Sequence, residues 1–289
     1  MSDIECVWPI GAILGEGPVW SAAEQALWFV DIKAPAIHRF HPASGAQRSW
    51  PAPARVGFVA LTHKGWLVAG LKTGIHRFNP ETGNFALLHV VEPHTPNNRL
   101  NDGFVDAEGF LWFGSMDDDE EEPSGALYQL TDGGCQRRDP GYVVSNGPAA
   151  SPDGRVLYHT DTLAGVIYAF DRGRDGLANK RVFARFGPGE GYPDGPIVDA
   201  EGCVWTGVFG GWGLRRFSPK GELLSSLRLP CSAVTKAAFA DDDLRTLYIT
   251  TAHVALDAEE RKQQPLAGGL FRVRVDVPGL PQGIVSHGI

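Results

Sequence analysis

Apolar and polar positions along the chain alternate in short runs, and the runs recur. One recurrent unit is a turn followed by an aromatic-bearing strand: Ala26-Leu27-Trp28-Phe29-Val30-Asp31, Gly65-Trp66-Leu67-Val68-Ala69, Gly109-Phe110-Leu111-Trp112-Phe113-Gly114, Arg155-Val156-Leu157-Tyr158-His159-Thr160, Gly202-Cys203-Val204-Trp205-Thr206-Gly207 and Thr246-Leu247-Tyr248-Ile249-Thr250. A second unit follows each copy: IHRFHPASG from Ile37, IHRFNPETG from Ile75, LYQLTDGG from Leu127, IYAFDRGRDG from Ile167, LRRFSPKG from Leu214 and LFRVRVDVPG from Leu270. Period-two alternation closed by Pro, Asp and Gly turns is the mark of strands. Two interleaved six-fold patterns at a period of about 40–47 residues imply an all-β fold, a six-bladed β-propeller with each blade a small antiparallel sheet. A jelly roll has no reason to repeat IHRF-x-P-x-[ST]-G. No linker or composition break interrupts the pattern, so residues 1–289 read as a single propeller domain. The segment Cys6-Val7-Trp8 is expected to complete the last blade beside Ile284-Val285, removing the open sheet edge.

A polar position recurs with the same period. Glu16-Gly17-Pro18, Asn146-Gly147-Pro148 and Asp194-Gly195-Pro196 share a polar-Gly-Pro core, and Asn101-Asp102-Gly103 is a looser copy. Counting back from each blade's aromatic gives Glu16, Gly57, Asn101, Asn146, Asp194, and Thr235 or Lys236. Placed just before the innermost strand of each blade, these side chains converge at one end of a central channel. Asn-Gly and Asp-Gly pairs are also ordinary turn formers, as at Asp132-Gly133 and Asp153-Gly154. Glu16-Gly17 is not, and the shared register favours convergence. Packed carboxylates repel unless a cation sits among them. Hard oxygen donors without His or thiolate suit one divalent metal ion, Ca²⁺, Mg²⁺ or Mn²⁺, with Fe²⁺ or Zn²⁺ in an open, water-rich site also compatible.

Composition narrows the partners. Thirty-six Gly and 21 Pro suit short strands and tight turns, and a hydrophobic content of 43% is enough for a sizeable core. A net charge of -8 argues against nucleic acid, whose phosphates need a basic face. No apolar run reaches the ~18–20 residues needed to span a bilayer, and the first residues lack the pattern of a secretory signal. A cytoplasmic protein with no nucleic-acid or membrane partner, a monomer, is expected. Cys6, Cys135, Cys203 and Cys231 show no CxxC spacing and are expected as free thiols.

LGEGPVW at 14–20, NNRLNDGFVDAEGFLWFGSM at 97–116, SNGPAASPDGRVLYHTDT at 145–162 and YPDGPIVDAEGCVWTG at 192–207 resemble the sugar lactonase family that includes gluconolactonase, regucalcin (senescence marker protein) and luciferin-regenerating enzyme. The subgroup they look most similar to is the bacterial aldonolactonases, the xylonolactonase-like group. The resemblance implies Glu16, Asn146 and Asp194 as metal ligands, and Arg99 and Asn101 as substrate contacts. It also implies an acidic residue beyond GSM, which counting places at Asp119, although six consecutive acids, Asp117 to Glu122, are more often a solvated loop than a site. The implied activity is metal-dependent hydrolysis of a sugar lactone, a small-molecule substrate, with Asp194 as general base. Pentonolactones (xylono- or arabinono-) are favoured and gluconolactone is next.

A non-catalytic metal-binding regulatory propeller and a phosphotriester or ester hydrolase of the same architecture are the competing readings. GxSxG, HExxH and P-loop patterns are absent. His159-Thr160-Asp161-Thr162 is read as hydrogen-bonding residues stapling neighbouring blades. Trp28, Trp112, Tyr158 and Trp205 are read as blade core, and Phe209-Gly210-Gly211-Trp212 as a candidate pocket wall.

Overall fold

The computed structural model describes residues 3–173 and 176–289. Within them, strands assemble into six four-stranded antiparallel sheets arranged as a six-bladed β-propeller. The innermost strands are β2 (Gly15–Ser21), β6 (Val56–Ala60), β10 (Asn98–Val105), β14 (Ser145–Ala150), β18 (Tyr192–Val198) and β22 (Val234–Ala240). Each touches the inner strand on either side, β22 meeting β2, so they ring a central channel. Among the described residues no helix is long and apolar enough to cross a membrane, and all four cysteines are unpaired.

The apolar face of every blade is buried against its neighbour, so the core lies between blades. Trp28 and Ile37 of the first blade pack with Val56, Leu67 and Phe78 of the second. Trp20, Leu27 and Phe40 pack with Ala238 and Tyr248 of the last. Burial of one such side chain is worth about 1.5–3 kcal/mol. Trp28, Trp112, Tyr158 and Trp205 are all buried, as the pattern implies. The repeated D-A-E-G-x-x-W stretches also have a polar purpose: Trp112 Nε1 donates to Asp106 at 2.8 Å and Trp205 Nε1 to Asp199 at 2.9 Å.

Ring closure differs from expectation in its partner. Strand β1 (Glu5–Trp8) does complete the last blade, but against β24 (Leu270–Arg274), with Cys6 opposite Phe271. Ile284-Val285 belongs instead to a strap that crosses one end of the channel. Gly279 bridges to Asp199, Val285 N–H donates to Leu61 at 2.8 Å, Ser286 N–H donates to Gly109 at 3.0 Å, and His287 stacks on Phe110 at 3.9 Å. With Gly279 N–H donating to the Leu244 carbonyl at 2.8 Å, the strap ties the second, third, fifth and sixth blades, and β24 satisfies the sheet edge better because its alternating LFRVR matches a neighbouring strand's pleat.

Every inner strand carries one extra residue relative to its partner. Glu16 pairs with Val30 and Val19 with Trp28, so two residues oppose one. The same irregularity falls between Val56 and Phe58, Leu100 and Gly103, Asn146 and Ala149, Pro193 and Pro196, and Val234 and Ala237. A bulge frees side chains from the ladder and re-aims them. The recurrent polar position therefore lies inside the inner strand, at its bulge, not ahead of it. The six bulged segments face one another around the axis.

Candidate metal and substrate site

Each bulge except that of the second blade exposes two consecutive residues to the channel. The first members are Glu16, Asn101, Asn146, Asp194 and Thr235; the second are Gly17, Asp102, Gly147, Gly195 and Lys236. Glu16, Asn101, Asn146 and Asp194 line one cavity of about 350 Å³, together with Arg99, Lys33, Glu120, Thr162, Tyr192 and Phe209. Five of the residues singled out from sequence are thus brought together. Thr235 is not in the cavity wall: its hydroxyl donates to the Gly15 carbonyl at 2.6 Å.

One level below, Asp102 and Lys236 form a buried ion pair at 2.5 Å. Asp102 also accepts from the amides of Gly103 (2.7 Å) and Gly147 (2.8 Å). This pair dictates the glycines around it. A Cβ on Gly195 would stand 2.7 Å from Lys236 Cδ and 2.9 Å from Asp102 Oδ2. Gly147 has φ of +81°, a conformation that side chains rarely adopt. The sequence pattern polar-Gly-Pro thus records both a bulge and the ion pair it accommodates.

The donor set is ordered by hydrogen bonds that leave oxygens toward the cavity. Asn146 Nδ2 donates to Thr162 at 2.9 Å, fixing its amide so that Oδ1 accepts from Asn101 Nδ2 at 2.8 Å and keeps one lone pair. Thr162 in turn donates to the Pro193 carbonyl at 3.0 Å, joining the fourth blade to the fifth. Glu16 accepts from Gly17 N–H at 2.9 Å and Asp194 from Gly195 N–H at 2.8 Å.

Burial and the like charge of Asp102 push Glu16 up to about 7, against the lowering pull of the Gly17 amide and Lys236. Burial, Glu16 and Asp102 push Asp194 well above the usual carboxylate range. Two buried acids that close are unfavourable as anions on their own. A divalent cation between them removes that penalty, and all donors present are oxygens, so the residues fit a hard cation. Among the described residues no three of His, Cys, Asp and Glu converge; the third oxygen donor facing the cavity is the neutral Asn146 amide.

Asp119 is not brought to the cavity. Its carboxylate accepts from Asn97 at 3.0 Å on the exposed side of the loop. Asp117 serves as the loop's internal acceptor, held low by the amides of Glu122 and Glu121. Asp118 turns inward to Arg55, to Lys72 at 2.8 Å and to Arg99 Nε at 3.0 Å, while Glu120 lines the cavity. Burial raises Asp118, but the Lys72 and Arg55 hydrogen bonds and the Arg99 charge outweigh it and its pKa is lowered. In a run of six acids, spacing does not tell which side chain the turn will point inward.

His159 also departs from its expected role. Thr160 and Thr162 do bond to the next blade, at the Asp194 and Pro193 carbonyls. His159 has no hydrogen-bond partner on either ring nitrogen and packs edge-on against Tyr142 at 4.8 Å. Phe209 lines the cavity, whereas Trp212 sits away from it beneath Arg228 at 5.1 Å. The sequence reading named Asp102, Asp118 and Thr162 only within the looser motif copy, the acidic run and the blade-stapling segment, and did not reach Lys33. For Asp102 a signal existed, because it follows Asn101 in the same motif.

Residues 14–253 match the model of the SMP-30/Gluconolactonase/LRE-like region. The 6-deoxy-6-sulfogluconolactonase of Pseudomonas putida is 36% identical over 286 residues, 98% of each chain. Regucalcin of Oryctolagus cuniculus is 33% identical over 288 residues, 96% of each chain. The solved structure of a calcium-binding protein, regucalcin, from Agrobacterium tumefaciens superposes with a TM-score of 0.94 at 26% identity, covering 99% of this chain and 98% of that one. By these matches, and by the propeller they share, the chain belongs to the SMP-30/gluconolactonase/LRE-like family.

Proposed function

We propose that the protein hydrolyses a sugar lactone to the corresponding aldonic acid with the help of one divalent cation held by Glu16, Asn146 and Asp194. The observation that supports this most is the pairing of two buried carboxylates with an oriented amide oxygen at the floor of a cavity whose walls supply sugar-binding donors. The names of the relatives point the same way, one a lactonase and one a calcium-binding protein. When bound, the cation supplies Lewis-acid polarisation of the ester carbonyl and stabilises the oxyanion that follows.

The chain's own residues do the rest. Asp194 takes the proton of the attacking water as its oxygen bonds to the lactone carbonyl carbon. The bond from that carbon to the ring oxygen then breaks, and the proton passes to the departing oxygen as the new hydroxyl. Asn101 is held by Arg99, by the Ser145 carbonyl and by Asn146, and presents a fixed dipole to substrate hydroxyls. Arg99 is buried, and its planar guanidinium lies along the cavity wall, suited to a ring or ester oxygen. Thr162 keeps the Asn146 oxygen facing inward. Pentonolactones and gluconolactone are the first substrates to try.

A pH-indicator assay on pentono- and hexonolactones tests the reading. Turnover is expected with added Ca²⁺, Mn²⁺ or Zn²⁺ and is expected to vanish after chelation and return on metal addition. Undiminished turnover by stripped protein would sink the metal role.

A further inference from the structure

The mouth of the cavity is cationic on a protein whose net charge is -8. Lys33 and Arg99 line it, with Arg55 and Lys72 just behind. Asp118 and Glu120 stand against these four, and with Glu16 and Asp194 of the floor the acids number four; an excess of +2 remains at the mouth when the floor pair holds the divalent cation proposed above. Three of the cations converge on the single Asp118 carboxylate. The fourth, Lys33, has no carboxylate within ion-pair distance among the described residues; Arg55 and Arg99 oppose its charge, while Asp118 and Glu120 favour it from further away. On the proposed function the floor does not draw on this excess, because a divalent cation would match Glu16 and Asp194.

The buried guanidinium adds a second sign of a missing partner. Arg99 Nη1 donates to Asn101 and, at 3.4 Å, to the Leu100 carbonyl. Its Nε lies 3.0 Å from Asp118 but off-line, so it makes no hydrogen bond there. A buried guanidinium whose Nε makes no hydrogen bond, inside a cavity and beside a lysine with no ion-pair partner, is arranged for an anion from outside. Neutral sugar hydroxyls do not require it.

We propose that the lactone taken by this site carries an anionic substituent, a sulfonate, phosphate or carboxylate, on the end of the sugar remote from the ester, and that Lys33 together with Arg99 recognises it. This rests on the lactonase reading above and narrows its substrate class. Lys33 is the specificity-determining residue because it lines the cavity without being tied to any protein acid.

The test uses the full-length, metal-loaded protein and four lactones: glucono-1,5-lactone, its 6-phospho and 6-deoxy-6-sulfo analogues, and a glucarolactone. At least one charged lactone is expected to exceed the neutral one in kcat/KM by about tenfold or more. Its KM, and not that of the neutral lactone, is expected to rise as ionic strength goes from about 20 to about 300 mM. Lys33→Met is expected to lower kcat/KM for the charged lactone about tenfold more than for the neutral one, and Lys33→Arg to restore most of the difference. Calorimetric titration with the charged and neutral product acids gives the same comparison without turnover. Which of the three analogues is preferred identifies the anion. If the neutral lactone is opened as well as every charged one, or if Lys33→Met depresses all alike, the anionic substrate is overturned while the lactonase reading stands. If none of the four is opened, the lactonase reading falls, and this proposal with it.

Discussion

The two ends of the channel are built from the same six strands and share almost nothing chemically. At the mouth the wall is Glu16, Asn101, Asn146 and Asp194, with Lys33, Arg99 and Glu120 above. A few residues further along the same strands it is Val19, Val59, Val105, Ala149, Val198 and Ala238, and the opening is stopped by Leu280, Pro281 and Gln282 of the strap. A second cavity of about 80 Å³ lies there, with Lys236 as its sole charged wall residue. The bulges are the boundary. One additional residue per strand turns the ladder, so hydrogen-bonded backbone below gives way to inward-aimed polar side chains above. A propeller needs its inner strands to pack, and the lower half does that; the upper half is then free to be unfavourable in isolation.

Removing the mouth's acids while leaving the lower half alone is the sharpest way to break this contrast. Asp194→Ala and Glu16→Ala are each expected to lower kcat/KM for lactone opening by about 10²–10⁴-fold. Thermal unfolding midpoints should stay at or above that of the metal-free wild type, since each change relieves a buried charge. A coincident loss of folding would show that the two halves are not separable.

Striking at the boundary itself should cost stability. Lys236→Met leaves Asp102 as a buried anion among Glu16 and Asp194, and breaking such a pair costs about 3–5 kcal/mol. Urea unfolding of the metal-free protein measures it. Adding Asp102→Asn to the Lys236→Met variant should recover part of the loss, and no recovery would mean that the pair is not the origin.

An effect that shows only in acid and vanishes at neutral pH concerns His159, which occupies the place opposite the bulge of the fourth blade. Burial pushes its imidazole down to about 3. In the unfolded chain it protonates below about 6.5, so unfolding takes up a proton between those two values. Its contribution is therefore complete above pH 6.5 and is lost as pH falls toward 3, by roughly 1.4 kcal/mol per pH unit. His38, pushed by burial to about 4, adds a similar slope over a narrower range. His159→Phe is expected to flatten the pH dependence of the urea midpoint in acid. An unchanged slope would mean that water reaches this ring.

The propeller was legible because its signal is repeated. Six aromatic strands and six copies of the following strand are hard to produce by chance, and Glu16, Asn146 and Asp194 stand out by sharing a register. The bulges were not legible as such, although the twelve residues from Glu16 to Trp28 already contain the additional one. Lys33 and Asp118 were hidden for a different reason: each sits on the loop joining the second and third strands of its blade, where no period constrains the side-chain direction. Asp119 illustrates this, since a single step along a tight acidic turn exchanges the inward carboxylate for the outward one. The pairing of β1 was missed because two segments near the C-terminus carry apolar residues, and only the sheet's register distinguishes Phe271 from Val285.

That pairing has a consequence for how the molecule comes into being. Strand β1 precedes every blade, yet its partner β24 is made only after the sixth inner strand. Until then the opening segment waits, and the circle stays a crescent with two raw sides. Assembly is thus gated by the slowest contact in sequence terms, joining Cys6 to Phe271, and the floor that Glu16, Asn146 and Asp194 form across the first, fourth and fifth blades takes its final shape only when that clasp shuts.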